Sequence, residues 1–298
     1  MKFAFFKGCK IPYYLEQYGT STRAVLEAFG IRLVDLNFNC CGYPNRDLDF
    51  ESFVLSAARN LAIAEKKNLD ILTPCQCCFG SLKYAVHFLQ DNERLRNDIN
   101  AELARAGLSW KGSIKVKHLL TVLIDDVGLP AISSKIKRPL QGFAVAAHYG
   151  CHALRPANVM HFDDPLAPTI FEELIRVTGA LPVDWPRRLE CCGNPLWGKN
   201  NAISGSLMRM KVTDASESGA DCICTACTYC QLQFDSVQGL EATAGSARPA
   251  RELPSILYTQ LLGFSMGLPE RKLGLKLNII PVGQLGSLPS PAKPRRQR

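Results

Sequence analysis

The apolar residues of the chain gather in short runs, and signals for helices stand between them. Lys2 to Phe6 is an apolar run of strand length that leads straight into Cys9, and Gly142 to His148 leads in the same way into Cys151. Ile31 to Asn37, Leu69 to Thr73, Leu181 to Asp184 and Ala220 to Thr225 predict further strands. Pro12 suits a first helical turn and Gly30 a cap after Phe29. Asp163 and Asp164 before Pro165, with Gly179 after Thr178, mark the equivalent helix later in the chain. Strands alternating with helices predict an α/β fold of small parallel sheets flanked by helices.

The pattern occurs twice, and the cysteines keep its register. The first copy reads Gly8-Cys9, Cys40-Cys41-Gly42-Tyr43-Pro44 and Thr73-Pro74-Cys75-Gln76-Cys77-Cys78. The second reads Gly150-Cys151, Cys191-Cys192-Gly193-Asn194-Pro195 and Thr225-Ala226-Cys227-Thr228-Tyr229-Cys230. Between Cys41 and Cys75 lie 33 residues, and between Cys192 and Cys227 lie 34. Two tandem, pseudo-symmetric domains are therefore expected, residues 1–138 and 139–285, meeting near the basic stretch Ile132 to Pro139. Residues 286–298, rich in proline and arginine, are expected to be a flexible basic tail with no aromatic residue to stack on a nucleic-acid base.

At 298 residues and 47% apolar composition, each copy has enough material for its own core. The formal charge of +8 is moderate and sits partly in the tail. The run of four apolar residues before Lys7 is too short for a signal-peptide core, and no apolar run reaches the roughly 18 residues of a membrane span. A cytoplasmic location without a transmembrane segment or a nucleic-acid partner is the expectation. Thirteen cysteines in a reducing compartment point to metal or catalysis rather than to a disulfide framework.

In a parallel sheet the C-terminal strand ends and the helix N-termini after them form the ligand edge, where unpaired backbone N–H groups favour thiolates. The cysteines of the first copy fall at such ends. A structural zinc ion needs four ligands, whereas each copy offers five, two of them adjacent. That supply suits a multinuclear iron–sulfur cluster. Zinc and unliganded redox thiols are the alternatives on ligand chemistry. The ferredoxin run Cys-x-x-Cys-x-x-Cys-x-x-x-Cys-Pro is absent.

The doubled motif, with Pro254-Ser-Ile-Leu-Tyr-Thr-Gln-Leu-Leu-Gly263, resembles the B subunit of heterodisulfide reductase, a family built from cysteine-rich CCG domains, over almost the whole chain. The resemblance implies two noncubane 4Fe-4S clusters, with no flavin or nucleotide in this chain. Cys9, Cys40, Cys41, Cys75 and Cys78 would hold one, and Cys151, Cys191, Cys192, Cys227 and Cys230 the other. It also implies reduction of a disulfide placed between the clusters, with a ferredoxin-like C subunit and a flavin-containing A subunit as partners. Similar bacterial proteins are linked to sulfur oxidation, where the reverse reaction would oxidise thiols or a sulfur carrier, or to electron-bifurcating metabolism. The rival readings are a pure electron-transfer subunit like the CCG parts of glycolate, lactate and succinate oxidoreductases, and a zinc-stabilised assembly module.

Cys77, Cys222 and Cys224 fall outside the two sets and are expected to be buried filler. His148 and His152 flank Cys151 and are the candidate helpers, able to donate a hydrogen bond to cluster sulfur or to protonate a departing thiolate. His87, His118 and His161 have no such context. Lys7, Lys10, Arg155 and Lys199 lie near ligand positions, where a cation would offset cluster charge or hold an anionic substrate arm.

Overall fold

The computed structural model describes residues 1–243, 252–283 and 285. Among these residues the chain forms two four-stranded sheets, and every strand pairing is parallel. The first contains β1 (Lys2–Phe5), β2 (Arg32–Val34), β3 (Ile71–Thr73) and β4 (Val116–His118) in the order β2-β1-β3-β4. The second contains β5 (Ala144–His148), β6 (Leu181–Val183), β7 (Cys222–Thr225) and β8 (Ser255–Leu257) in the order β6-β5-β7-β8. The architecture is the expected α/β one, with the same topology twice.

Six strands lie on the apolar runs that predict them, trimmed by one to four residues. β4 and β8 have no such run of their own. β4 follows Lys115 and contains Lys117, and β8 is continuous with the apolar helix Tyr258–Ser265, so neither stands out as an apolar run of its own. The helix expected after Pro165 begins later, at Ile170. Asp163 accepts hydrogen bonds from the N–H groups of Thr169 and Ile170, and Asp164 from those of Leu166 and Ala167. The two carboxylates thus hold a turn and cap the helix from a distance.

Helices cover both sheets and repeat as the strands do. Phe50–Glu65 starts at Asp49, whose side chain accepts from the N–H of Ser52; Asn201–Glu217 starts at Asn200, which accepts from Ile203. Such caps contribute about 1 kcal/mol each. Asp49 and Asn200 both follow the adjacent cysteines by eight residues, so the repeat extends to the capping chemistry.

The halves do not keep separate cores. Each of the two hydrophobic clusters draws residues from both sheets, one joining Phe5 and Tyr18 to Tyr258 and Leu262, the other Phe6 and Phe53 to Trp185 and Phe234. Tyr258–Ser265, from the second half, lies on the helix Glu16–Ala28 of the first, with Ser21 Oγ and Thr259 Oγ1 2.7 Å apart. The stretch between the halves is tied down where Lys137 and Arg138 donate their N–H groups to the carbonyl of Ser265. Among the described residues no helix is long and apolar enough to cross a membrane. The basic tail, 286–298, lies outside the described residues.

Candidate metal centre

The three segments of each motif meet at the C-terminal edge of their sheet. Beyond β1 the backbone turns at Gly8 and delivers Cys9. Beyond β2 a loop delivers Cys40 and Cys41; beyond β3, Cys75 caps the helix Gln76–Asp91, with Cys78 in its first turn. In the second half Cys151 follows β5, Cys191 and Cys192 follow β6, and Cys227 caps the turn Thr228–Gln231, which contains Cys230. Gly42 and Gly193 close the two loops with φ of +84° and +88°. A Cβ on Gly42 would lie 2.7 Å from the carbonyl oxygen of Phe53, and one on Gly193 3.0 Å from that of Ser204. The glycine of each Cys-Cys-Gly is therefore required both by handedness and by the close helix behind it.

None of the thirteen cysteines is in a disulfide, and the two sets of five come together as thiol networks. In the first, Cys40 donates to Cys9, with Sγ atoms 3.8 Å apart, and lowers the Cys9 pKa to about 7. Cys41 is held well below the usual thiol range by hydrogen bonds from Cys40, Cys77 and Cys78. Burial opposes a thiolate at Cys75, yet hydrogen bonds from Cys227, Cys78 and Thr228 bring its pKa well down. In the second, Cys151 and then Cys192 donate to Cys191 and pull its pKa down to about 2, while the Gly193 N–H lies 3.4 Å from the Cys191 sulfur. Cys230 joins Cys192 to Cys227. Each half thus concentrates sulfur donors that share protons among themselves, and binding a metal would release those protons.

The two networks touch. The sulfurs of Cys75 and Cys227 are 3.9 Å apart, and the Gln76 N–H donates to the Ala226 carbonyl at 3.3 Å. His118, at the end of β4, is buried behind this junction, its Nε2 3.2 Å from the carbonyl oxygens of both Pro74 and Ala226. Its Nδ1 accepts the Leu120 N–H, so the proton sits on Nε2 and is shared between the two motifs. Burial lowers the His118 pKa to about 4 and keeps the ring neutral. Nothing around His118 in the sequence marks it, because what gives it a role is contact across the repeat.

His152 lies beside the second network, Nδ1 3.8 Å from the Cys151 sulfur, and meets the Tyr43 ring edge-on at 4.8 Å. His148 points inward, fully buried between Trp185 and Phe234, with both ring nitrogens unpartnered and one of them within 4.8 Å of the Cys192 and Cys230 sulfurs. Nearby, Lys211 is only 1% exposed; its ammonium donates to the Arg187 carbonyl and lies 5.3 Å from the Trp185 ring centre. The counterparts of His148 and Lys211 in the first half, by distance from the cysteines, are Phe6 and Asn60. Asn60 is neutral and donates to the Cys40 carbonyl. The two sites are therefore alike in sulfur and unlike in charge.

Cys222 and Cys224 are buried on β7, away from both sets, whereas Cys77 reaches Cys41. Lys7 pairs with Asp35 at 3.2 Å, and Arg155 is exposed. Lys10 and Lys199 line a cleft of about 640 Å³ between the turns that follow the two Cys-Cys-Gly motifs, with Tyr43, Pro195, Trp197 and Tyr229 among its walls.

The donor set fits a sulfur-ligated metal cluster. Five reduced thiols converge at each site, and a Cβ on Gly8 would come within 2.8 Å of the Cys78 sulfur, so the backbone is cut back where sulfur needs room. The model of the cysteine-rich CCG domain matches residues 3–83 and 145–235, and the chain belongs to the family of proteins built from this domain. Over almost its whole length it is similar to the ferredoxin/F420H2-dependent CoB-CoM heterodisulfide reductase B subunit of Methanosarcina acetivorans, 32% identical over 94% of each chain. It is also similar to the 8-methylmenaquinol:fumarate reductase membrane anchor subunit of Wolinella succinogenes, 34% identical over 96% of this chain and 99% of that one. A crystal structure of a hypothetical protein from Helicobacter pylori shares the fold, with a TM-score of 0.73 at 16% identity, over 94% of this chain and 52% of the other.

Proposed function

We propose that this chain is the iron–sulfur subunit of a heterodisulfide-reductase-like complex, reducing a disulfide, or in reverse oxidising thiols or sulfane sulfur, at two noncubane 4Fe-4S clusters. Cys9, Cys40, Cys41, Cys75 and Cys78 hold one, and Cys151, Cys191, Cys192, Cys227 and Cys230 the other. Such clusters supply single-electron transfer and thiophilic iron. The observation that carries the reading is the cleft between the two Cys-Cys-Gly turns, lined by residues of both halves, Lys10 and Tyr43 from the first and Pro195 and Tyr229 from the second.

The residues of the cleft set what it accepts. Trp197, Leu232 and Val237 make it partly apolar and exclude water from a sulfur–sulfur bond, while Lys10 and Lys199 offer cations to an anionic arm. Lys10 Nζ lies 4.6 Å from the Tyr229 ring centre, which fixes the ammonium at the wall. His152, with its Nδ1 3.8 Å from the Cys151 sulfur, is the candidate proton donor to a leaving thiolate. Reducing one disulfide to two thiols consumes two electrons and two protons. The electrons would come through a ferredoxin-like C subunit and a flavin-containing A subunit.

A second reading, a pure electron-transfer subunit, is favoured by one feature: Tyr43, Pro195 and Tyr229, rather than a cysteine, line the cleft. The two are separated by adding thiols to the oxidised, cluster-loaded protein. A new paramagnetic signal supports substrate chemistry, and none with any thiol tried supports conduction alone.

A further inference from the structure

Gln76 lies inside the first Cys-x-x-Cys run, between Cys75 and Cys77, yet its side chain belongs to the other site. It is 1% exposed, and neither its Nε2 nor its Oε1 has a hydrogen-bond partner. An amide left unpaired in the interior forfeits its solvation with nothing in return, so a buried orphan of this kind marks a place where something else is to be bound. The pocket that Gln76 lines is otherwise made entirely of second-half residues, Cys151, Cys191, Cys192, Cys227 and Cys230 among them. A Cβ placed on Gly150 would come within 2.7 Å of Gln76 Oε1 and 3.4 Å of the Cys230 sulfur. The amide is thus wedged against the Gly150 backbone, next to the second set of sulfurs.

The counterpart of Gln76 is Thr228, which follows Cys227 as Gln76 follows Cys75. It crosses the junction in the opposite direction, its Oγ1 3.1 Å from the Cys75 sulfur. Thiolate and sulfide sulfur accept hydrogen bonds and do not donate them, so the amide group that can serve the second site is the N–H pair. Resting on the reading of both sites as iron–sulfur centres, we infer that the halves support each other crosswise. Gln76 of the first motif donates a hydrogen bond to the sulfur of the second site, and Thr228 of the second donates to Cys75 of the first. Hydrogen bonds to cluster sulfur stabilise the more negative, reduced state and raise its potential, so each site's potential is set partly by the other half's helix.

The experiment is a redox titration followed by electron paramagnetic resonance, on full-length chains that keep one site each. Cys41→Ser leaves the second site and Cys192→Ser the first. Gln76→Leu should move the second-site potential to more negative values in the Cys41→Ser chain and leave the first-site potential in the Cys192→Ser chain where it was. Thr228→Val should do the reverse. Gln76→Met, unbranched like glutamine but without the donor, should match Gln76→Leu. Side-chain 15N-glutamine labelling of the Cys41→Ser chain should give a nitrogen coupling to the second-site signal that Gln76→Leu abolishes. A shift confined to the first site, or no shift and no coupling in a chain that carries iron and acid-labile sulfide, overturns the inference. Absence of labile sulfide from every chain, wild type included, overturns the reading of the sites themselves.

Discussion

Cys75 and Cys227 occupy the same position in the two halves, and their sulfur atoms lie 3.9 Å apart. Equivalent helix N-termini of two sheets are thereby set against each other, so the two thiol networks form one continuous sulfur surface rather than two remote pockets. The contact would be short enough for electrons to pass between metal centres, were one bound on either side. It also explains why the halves share their cores: the junction needs both sheets fixed in one register.

Each network should nevertheless hold metal through its own five thiols. Cys41→Ser and Cys192→Ser should each halve the iron content, to about four per chain, with the other site still loaded. Cys77→Ser should leave both counts unchanged, although its thiol reaches Cys41. Iron and sulfide analysis of the three variants checks this, and loss of a cluster in Cys77→Ser would place Cys77 among the ligands.

The glycines of the Cys-Cys-Gly turns should tolerate no side chain. Gly42→Ala faces a left-handed backbone that costs about 1–2 kcal/mol, and added to this is the collision with the Phe53 carbonyl at 2.7 Å. Chemical denaturation should show a loss of at least about 2 kcal/mol, accompanied by loss of iron from the first site alone. Gly193→Ala, with its contact at 3.0 Å, should do the same to the second site and less severely.

His118 makes the junction sensitive to acid. Its folded-state pKa, lowered by burial to about 4 from 6.5, means that the unfolded chain takes up a proton first on acidification. Stability is therefore lost as pH falls from about 6.5 to about 4, by roughly 3 kcal/mol from this residue. His118→Leu should be less stable than wild type at neutral pH, since two buried carbonyls lose their donor, and the gap should narrow over that window. Denaturation midpoints across the pH range measure it, and a constant gap would contradict it.

Lys211 should separate the two potentials. Burial lowers its pKa to about 8, which leaves it protonated at pH 7, and a buried cation favours the more negative state of whatever the second site holds. Lys211→Met should shift the second-site potential to more negative values and leave the first unmoved. Redox titration of the single-site chains reads this directly.

Much of this arrangement is legible in the sequence, because the motif occurs twice. A matched spacing aligns Cys75 with Cys227, the Gly-Cys pair at the end of an apolar run aligns Cys9 with Cys151, and apolar runs place the strands that carry them. β4 and β8 are missed because β4 is interrupted by Lys117 and β8 runs without a break into an apolar helix. His118, Gln76 and Lys211 are missed for a different reason. Each draws its meaning from groups more than 100 residues away or on a neighbouring element, such as the Ala226 carbonyl for His118 and the second-site pocket for Gln76. The adjacent cysteines reveal that a site exists, and only the folded chain shows that the two sites lean on each other.

The most direct test of the central claim is anaerobic purification followed by iron, acid-labile sulfide and zinc analysis on the same sample. Two four-iron clusters require about eight irons and about eight sulfides per chain, with zinc below stoichiometry. Stoichiometric zinc without labile sulfide would contradict the account.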